Sequence, residues 1–367
     1  MRLNLSNRHY PTIFFLGLIS AAAHLTLFSF RPTEDTPCWF GVVDYFRSGF
    51  NLPVTGHCLY NPLIPFITLL INSITGLGYI YAYFSINIFA YFLTALIVYR
   101  FSHIFFSKHI SLLASLFFLL SFTTQILSFS VVPDIFTWSL EAVFIYAIFK
   151  RLIAKGSVNS GWIMILGLFS ALLVLTKINL GFLLPSALVL FYLKSPRNFI
   201  KHSLIFVIFV SIPILAYYFW IYQHTGIQPW DSLIIGLETE KPTVISHLTA
   251  FVAAFLYFWP LILASFPLPK FSQPQKILLF SIALGLLVPI IIWPYVGFRF
   301  AYSFFIFFLP LAALGTHCLT TRTKSYSNTI LISIIAVYWA INLLRVHLTL
   351  TNQTHIVYFL HLINRFF

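Results

Sequence analysis

Long apolar runs with almost no charge inside them limit this chain more than any other feature. Such runs lie near Thr12–Phe30, Tyr79–Tyr99, Ile110–Val131, Ile135–Phe149, Trp162–Leu175, Gly181–Leu193, Ser203–Tyr222, Leu248–Phe266, Ile277–Trp293, Phe300–Cys318 and Thr329–Leu344. A bilayer-crossing helix needs roughly 20 mostly apolar residues, and several of these runs reach that length. Another stretch, Leu63–Ile74, is too short to cross and reads as a helix lying at the membrane interface. Only 8% of the 367 residues are charged, whereas soluble chains carry about 25% to coat their surface. The surface must therefore face lipid. The expected fold class is all-α, a polytopic transmembrane helix bundle of about 11 spans, with residues 1–345 as the membrane domain. Residues 346–367 are expected to form a short tail with no soluble domain.

Charge placement gives an orientation. With the amino terminus cytoplasmic, 14 Lys and Arg fall on the inner side and 7 on the outer, as the positive-inside rule asks. The net charge of +13 thus reads as membrane orientation, and no nucleic-acid partner is expected. Acids follow a different pattern. Glu34, Asp35, Asp44, Asp134, Asp231, Glu238 and Glu240 all fall outside, and Glu141 lies about two turns into a helix. Acids contribute little to orientation, so their clustering implies a site on the outer face. The first apolar run follows Arg2 and Arg8 and could resemble a cleavable signal, but it continues to Phe30 and reads as a true span. The expected setting is a multi-pass protein of the plasma (inner) membrane with an extracytoplasmic site.

Four segments could carry chemistry. The first outer loop, within residues 31–76, holds Glu34, Asp35 and Asp44, and loops on a rigid scaffold concentrate functional groups. It also holds Cys38 and Cys58, which a disulfide could join in an oxidising compartment; free thiols, or a metal site with His57, are the alternatives. Pro133-Asp134 opens a helix on which Trp138 and Glu141 follow at i+4 and i+7, a stripe expected to line an outward cavity. Lys177 sits between two apolar runs at the outer face, against the positive-inside trend, which suggests an anionic partner such as Asp134, Glu141 or a phosphate. Arg299 and Tyr302 lie at the outer end of a late helix, and an arginine fork suits phosphate oxygens. No Gly-rich phosphate loop, zinc-protease motif or nucleophile elbow is present.

In this order the motifs resemble those of the GT-C superfamily of integral-membrane glycosyltransferases, in particular the aminoarabinose and dolichyl-phosphate-mannose-type transferases. Glu34-Asp35 is followed by Asp44-Tyr45-Phe46-Arg47-Ser48-Gly49 and by Tyr60-Asn61-Pro62-Leu63 at the start of the interfacial helix. Pro133-Asp134-Ile135-Phe136, Leu175-Thr176-Lys177 with Pro185, and Arg299, Tyr302 and Pro310 resemble the family's later motifs. Thr36 stands where the family's second acid usually follows. The resemblance implies a polyprenyl-phosphate sugar donor in the bilayer and a glycan, lipid or protein acceptor. It implies inverting transfer with Asp35 as the general base, and Glu34 beside it as a second catalytic residue. Asp44, Asp134, Glu141, Lys177, Arg299 and Tyr302 would then bind substrate. No cofactor is certain; a divalent metal is possible, held by Asp35 and Asp134. The competing classes are a transporter or flippase of a lipid-linked or small polar substrate, and a non-catalytic membrane scaffold with the same fold.

Overall fold

The computed structural model describes residues 9–28, 30–33, 35–52, 57–226, 228, 231, 243, 245, 248–249, 251–252, 271–292, 302–304, 306–322 and 327–350. Among these, the regular structure is helical: α1 (His9–Phe28), α2 (Thr36–Arg47), α3 (Leu63–Thr75), α4 (Tyr79–Ser102), α5 (Lys108–Leu119), α6 (Phe122–Ser128), α7 (Asp134–Ile153), α8 (Ser160–Thr176), α9 (Pro185–Lys194), α10 (Phe199–Thr225), α11 (Gln273–Ile292), α12 (Leu309–Arg322) and α13 (Ser327–Leu350). An apolar environment forces this choice, because lipid offers no partner to an exposed peptide group and a helix satisfies its own.

The chain is a multi-pass membrane protein. Five described helices are long and apolar enough to cross a bilayer, and α5 with α6 makes a sixth if that bent pair is one span. The expected number of about 11 counted shorter runs that the structure renders as short helices, among them α8 and α9. The run Leu248–Phe266 falls mostly outside the described residues. Leu63–Ile74 is α3 to within a residue, closed by Gly76 in the left-handed region at φ 72°.

One expected span is broken. The run Ile110–Val131 divides into α5 and α6, bent by 56°. Ser121 causes the break: its backbone is extended and its hydroxyl accepts from the Thr124 amide, starting a new helix. Neutral side chains take up the carbonyl groups released there. The Gln125 amide donates to Leu119 O, as do the hydroxyls of Tyr91 and Ser20, and Tyr338 donates to Phe117 O.

Packing is closest along two helix pairs, α8 with α10 and α4 with α7. Glycine makes the first possible. A Cβ on Gly167 would lie 2.8 Å from Phe209 Cβ, so only glycine lets the backbones approach, as small residues commonly do between membrane helices. Gly285 serves α11 in the same way. A Cβ there would lie 2.6 Å from Phe182 O, in the 3-10 turn Ile178–Leu183 that follows Lys177.

Candidate functional site

The site begins with a short pairing between distant segments. Arg31 N–H donates to Phe129 O and Val131 N–H donates to Arg31 O, and the Thr33 hydroxyl donates to Val131 O at 3.0 Å. The Asn87 side chain of α4 donates to Ser130 O and holds the second strand of this clasp. Asp35 follows Thr33 by two residues, and Asp134 follows Val131 by three. The clasp therefore places the two carboxylates at neighbouring helix starts. Asp35 occupies the N-cap position of α2, yet its side chain makes no capping hydrogen bond. Thr36 closes the turn instead, its hydroxyl accepting from Thr33 N–H at 2.7 Å.

Asp134 is the first residue of α7, where the helix dipole favours a negative charge. It is 1% exposed, and Lys177 Nζ donates to its Oδ1 at 2.8 Å. Lys177 interrupts the helix after α8 with an extended backbone, φ −160° and ψ 111°. Its side chain reaches across to α7 while keeping 16% exposure. Of the anionic partners expected for Lys177, Asp134 is the one bonded. Glu141 lies two turns further along α7, about 10 Å down the axis. It too is within the electrostatic reach of Lys177. Both its carboxylate oxygens are buried without a hydrogen-bond partner.

The stripe Asp134–Trp138–Glu141 is buried, at 1%, 2% and 1% exposure, rather than lining an open cavity as expected. The covering group on one side is Tyr302, whose ring packs on Trp138 with centroids 4.5 Å apart. The sequence motifs assign Tyr302 to substrate binding. Its hydroxyl meets those of Ser121 and Thr124 in the α5–α6 break, and its ring reaches the site at Trp138. Asp44 stands nine residues along α2 from Asp35, about 13 Å away along the axis. There it accepts from the Tyr79 hydroxyl at 2.7 Å, on an exposed surface where Arg47 donates to the same hydroxyl. Glu34 and Arg299 lie outside the described residues.

Cys38 and Cys58 are joined as a disulfide, which ties α2 to the 3-10 turn His57–Tyr60. Two tyrosines of α10 fasten the same turn, Tyr217 donating to Leu59 O and Tyr218 to Tyr60 O. Between α2, α3, α8 and α10 lies a cavity of about 450 Å³ lined by Phe46, Phe50, Phe66, Leu175, Tyr217 and Trp220, among others. Leu172 and Leu175 of α8 are its wall residues nearest in sequence to Lys177. Phe50 holds a positive φ of 72° to place its ring 4.3 Å from that of Trp220, a backbone region costly for any residue but glycine.

A divalent cation of the magnesium or calcium class takes about six or more oxygen ligands. Among the described residues no three His, Cys, Asp or Glu side chains converge to hold a metal, and Asp134 already gives one oxygen to Lys177. The described donor set does not make such a site.

Tyr83 is a candidate that motif reading passes over. It lies in α4, is 1% exposed, and its hydroxyl has no hydrogen-bond partner. The charges of both Asp134 and Asp35 act on it. A buried, unpaired hydroxyl in the field of two acids suits a polar substrate group. A tyrosine in a long aromatic-rich span carries no local signal of this role, and only packing reveals it.

No protein-family model matches the chain, and no curated protein matches it. Solved structures do. ArnT from Cupriavidus metallidurans bound to undecaprenyl phosphate superposes with a TM-score of 0.62 at 12% identity, covering 89% of this chain and 63% of that one. The Archaeoglobus fulgidus oligosaccharyltransferase in its apo form gives 0.55 at 13% identity, covering 96% and 55%. AglB from the same organism, in complex with an inhibitory peptide and a dolichol-phosphate, gives 0.50 at 13% identity, covering 94% and 55%. The chain spans less than two thirds of the length of each of these structures. At such identities the likeness is one of fold. The fold is GT-C-like.

Proposed function

We propose that this chain is a membrane glycosyltransferase that moves a sugar from a polyprenyl-phosphate donor to an acceptor at the membrane face bearing Asp35 and Lys177, which charge placement makes the extracytoplasmic one. The observation that carries this reading is the buried Asp134–Lys177 pair, clasped beside Asp35 in a GT-C fold. In the proposed reaction the Asp35 carboxylate takes the proton of the acceptor hydroxyl. The freed oxygen pair attacks the anomeric carbon opposite the phosphate, and the bond from that carbon to the phosphate oxygen breaks with its electrons leaving on the phosphate. Such a displacement inverts the anomeric centre, through an oxocarbenium-like transition state. Lys177, with Arg299, neutralises the departing phosphate, typically the largest single contribution in such sites. Asp134 orients the ammonium.

Further support comes from the aromatic cavity of about 450 Å³ whose wall includes Leu175, on the helix that leads to Lys177. An isoprenoid chain is apolar and needs an apolar channel leading to its charged head. The acceptor, whether glycan, lipid or protein, enters from the side of the first loop. Membranes containing the chain should transfer label from a radiolabelled polyprenyl-phosphate sugar. Asp35→Asn should lower transfer about 10²–10⁴-fold with an unchanged amount of protein in the membrane. Near-wild-type transfer by that variant would remove Asp35 from the role.

A further inference from the structure

At the membrane face opposite Asp134 and Lys177 lies a second apolar cavity, of about 300 Å³. Phe101 and Phe105 from the end of α4, Phe280 and Ala283 from α11, and Phe304 and Phe307 before α12 contribute to its walls. Its volume is roughly ten times a water molecule's share of the liquid, but an apolar lining keeps such a space dry. Phe280 is 66% exposed, so this wall of the cavity is continuous with the lipid-facing surface.

Two lysines stand at its rim. Lys276 is one turn before Leu279 and Phe280, on the same face of α11. Lys108 follows Phe106, another wall residue, by two positions. The two segments meet directly, the rings of Phe105 and Phe271 being 5.2 Å apart. Both lysines are exposed. The described acids lie elsewhere: Asp35 and Asp44 flank or belong to α2, Asp134 and Glu141 occupy the first turns of α7, and Asp231 follows α10.

We propose that this cavity is a binding site for one anionic phospholipid, an acyl chain seated among the phenylalanines and the phosphate-bearing headgroup held by Lys108 and Lys276. Charge complementarity selects this occupant. A zwitterionic lipid offers the lysines a phosphate whose charge its own ammonium offsets, and a neutral hydrocarbon offers them none. The inference depends on the membrane setting of the chain and is independent of glycosyl transfer.

Native mass spectrometry of the full chain in detergent tests it, with phosphatidylglycerol and phosphatidylcholine of identical acyl chains titrated separately. The wild-type chain should retain one phosphatidylglycerol with about a thirtyfold preference over phosphatidylcholine, the contribution of two surface lysines. Lys108→Gln with Lys276→Gln should bring that preference close to one while phosphatidylcholine uptake stays unchanged. Ala283→Phe, which fills the cavity, should weaken retention of both lipids. Equal uptake of the two lipids by the wild type, or an undiminished preference in the double lysine variant, would overturn the proposal. The lysine substitutions are at exposed positions and decide the matter even if the cavity-filling variant does not fold.

Discussion

Helices are interrupted at two places that invite comparison: between α5 and α6 at Ser121, and after α8 at Lys177. At the first, every group taking up the released backbone is neutral, from Gln125 and Ser20 to Tyr91 and Tyr338. Tyr302 reaches across to complete the hydroxyl cluster with Ser121 and Thr124. At the second, the interruption delivers an ammonium to a buried carboxylate. Polar atoms remain unpaired near both, Thr123 Oγ1 and Gln125 Oε1 at the first, and Asn179 Oδ1 and both carboxylate oxygens of Glu141 at the second. A break whose released carbonyl groups are taken up by neutral side chains holds helices together, whereas one that sets a buried ion pair beside an unpaired carboxylate is prepared for a ligand.

Substitutions at the two breaks should therefore separate activity from stability. Lys177→Met is expected to lower transfer from a polyprenyl-phosphate sugar about 10²–10³-fold, as loss of one charge-stabilising donor does. Because it removes the lysine partner of the buried Asp134, it should also destabilise the chain, and Asp134→Leu added to it should recover stability without recovering transfer. Thermal unfolding in detergent alongside single-turnover transfer checks both halves, and recovery of transfer in the double variant would end the comparison. Gln125→Leu at the neutral break should cost about 1–3 kcal/mol of stability with unchanged turnover per folded molecule. A loss of turnover there would mean that the first break also serves the reaction. Tyr83→Phe sharpens the boundary between the two. It removes one hydroxyl facing Asp35 and Asp134 and should slow transfer about tenfold, the equivalent of a single hydrogen bond, with no fall in melting temperature.

Parts of this arrangement were legible in the residues. The spacing of Leu63–Ile74 against its neighbours announced α3, and an exposed-side lysine against the orientation rule announced an anionic partner for Lys177. Cys38 and Cys58 were readable as a pair because both fell in one outer loop. Other parts were not. Ser121 looks like any small residue within the run Ile110–Val131, since mean hydropathy barely registers one hydroxyl. Asp44 sat in the same loop as Asp35 and read as its companion, but a helix of twelve residues carries it away to Tyr79. Trp138 and Glu141 read as a wet stripe because periodicity shows which residues share a face and cannot show what covers it.

From composition and order alone, the amino acids determined a lipid-embedded helical chain, the rough placement of its spans, and the gathering of acids on one membrane face. These follow from sums over neighbouring residues: each apolar side chain adds to the cost of leaving the bilayer, wherever the rest of the chain lies. Tertiary structure alone decided that Lys177 bonds Asp134, 43 residues away, that Tyr83 faces two carboxylates, and that Tyr302 closes a helix break. Those contacts depend on how closely helices approach, which Gly167 and Gly285 permit at particular crossings. Shape fit between distant surfaces has no local signature, so it emerges only when the bundle is assembled.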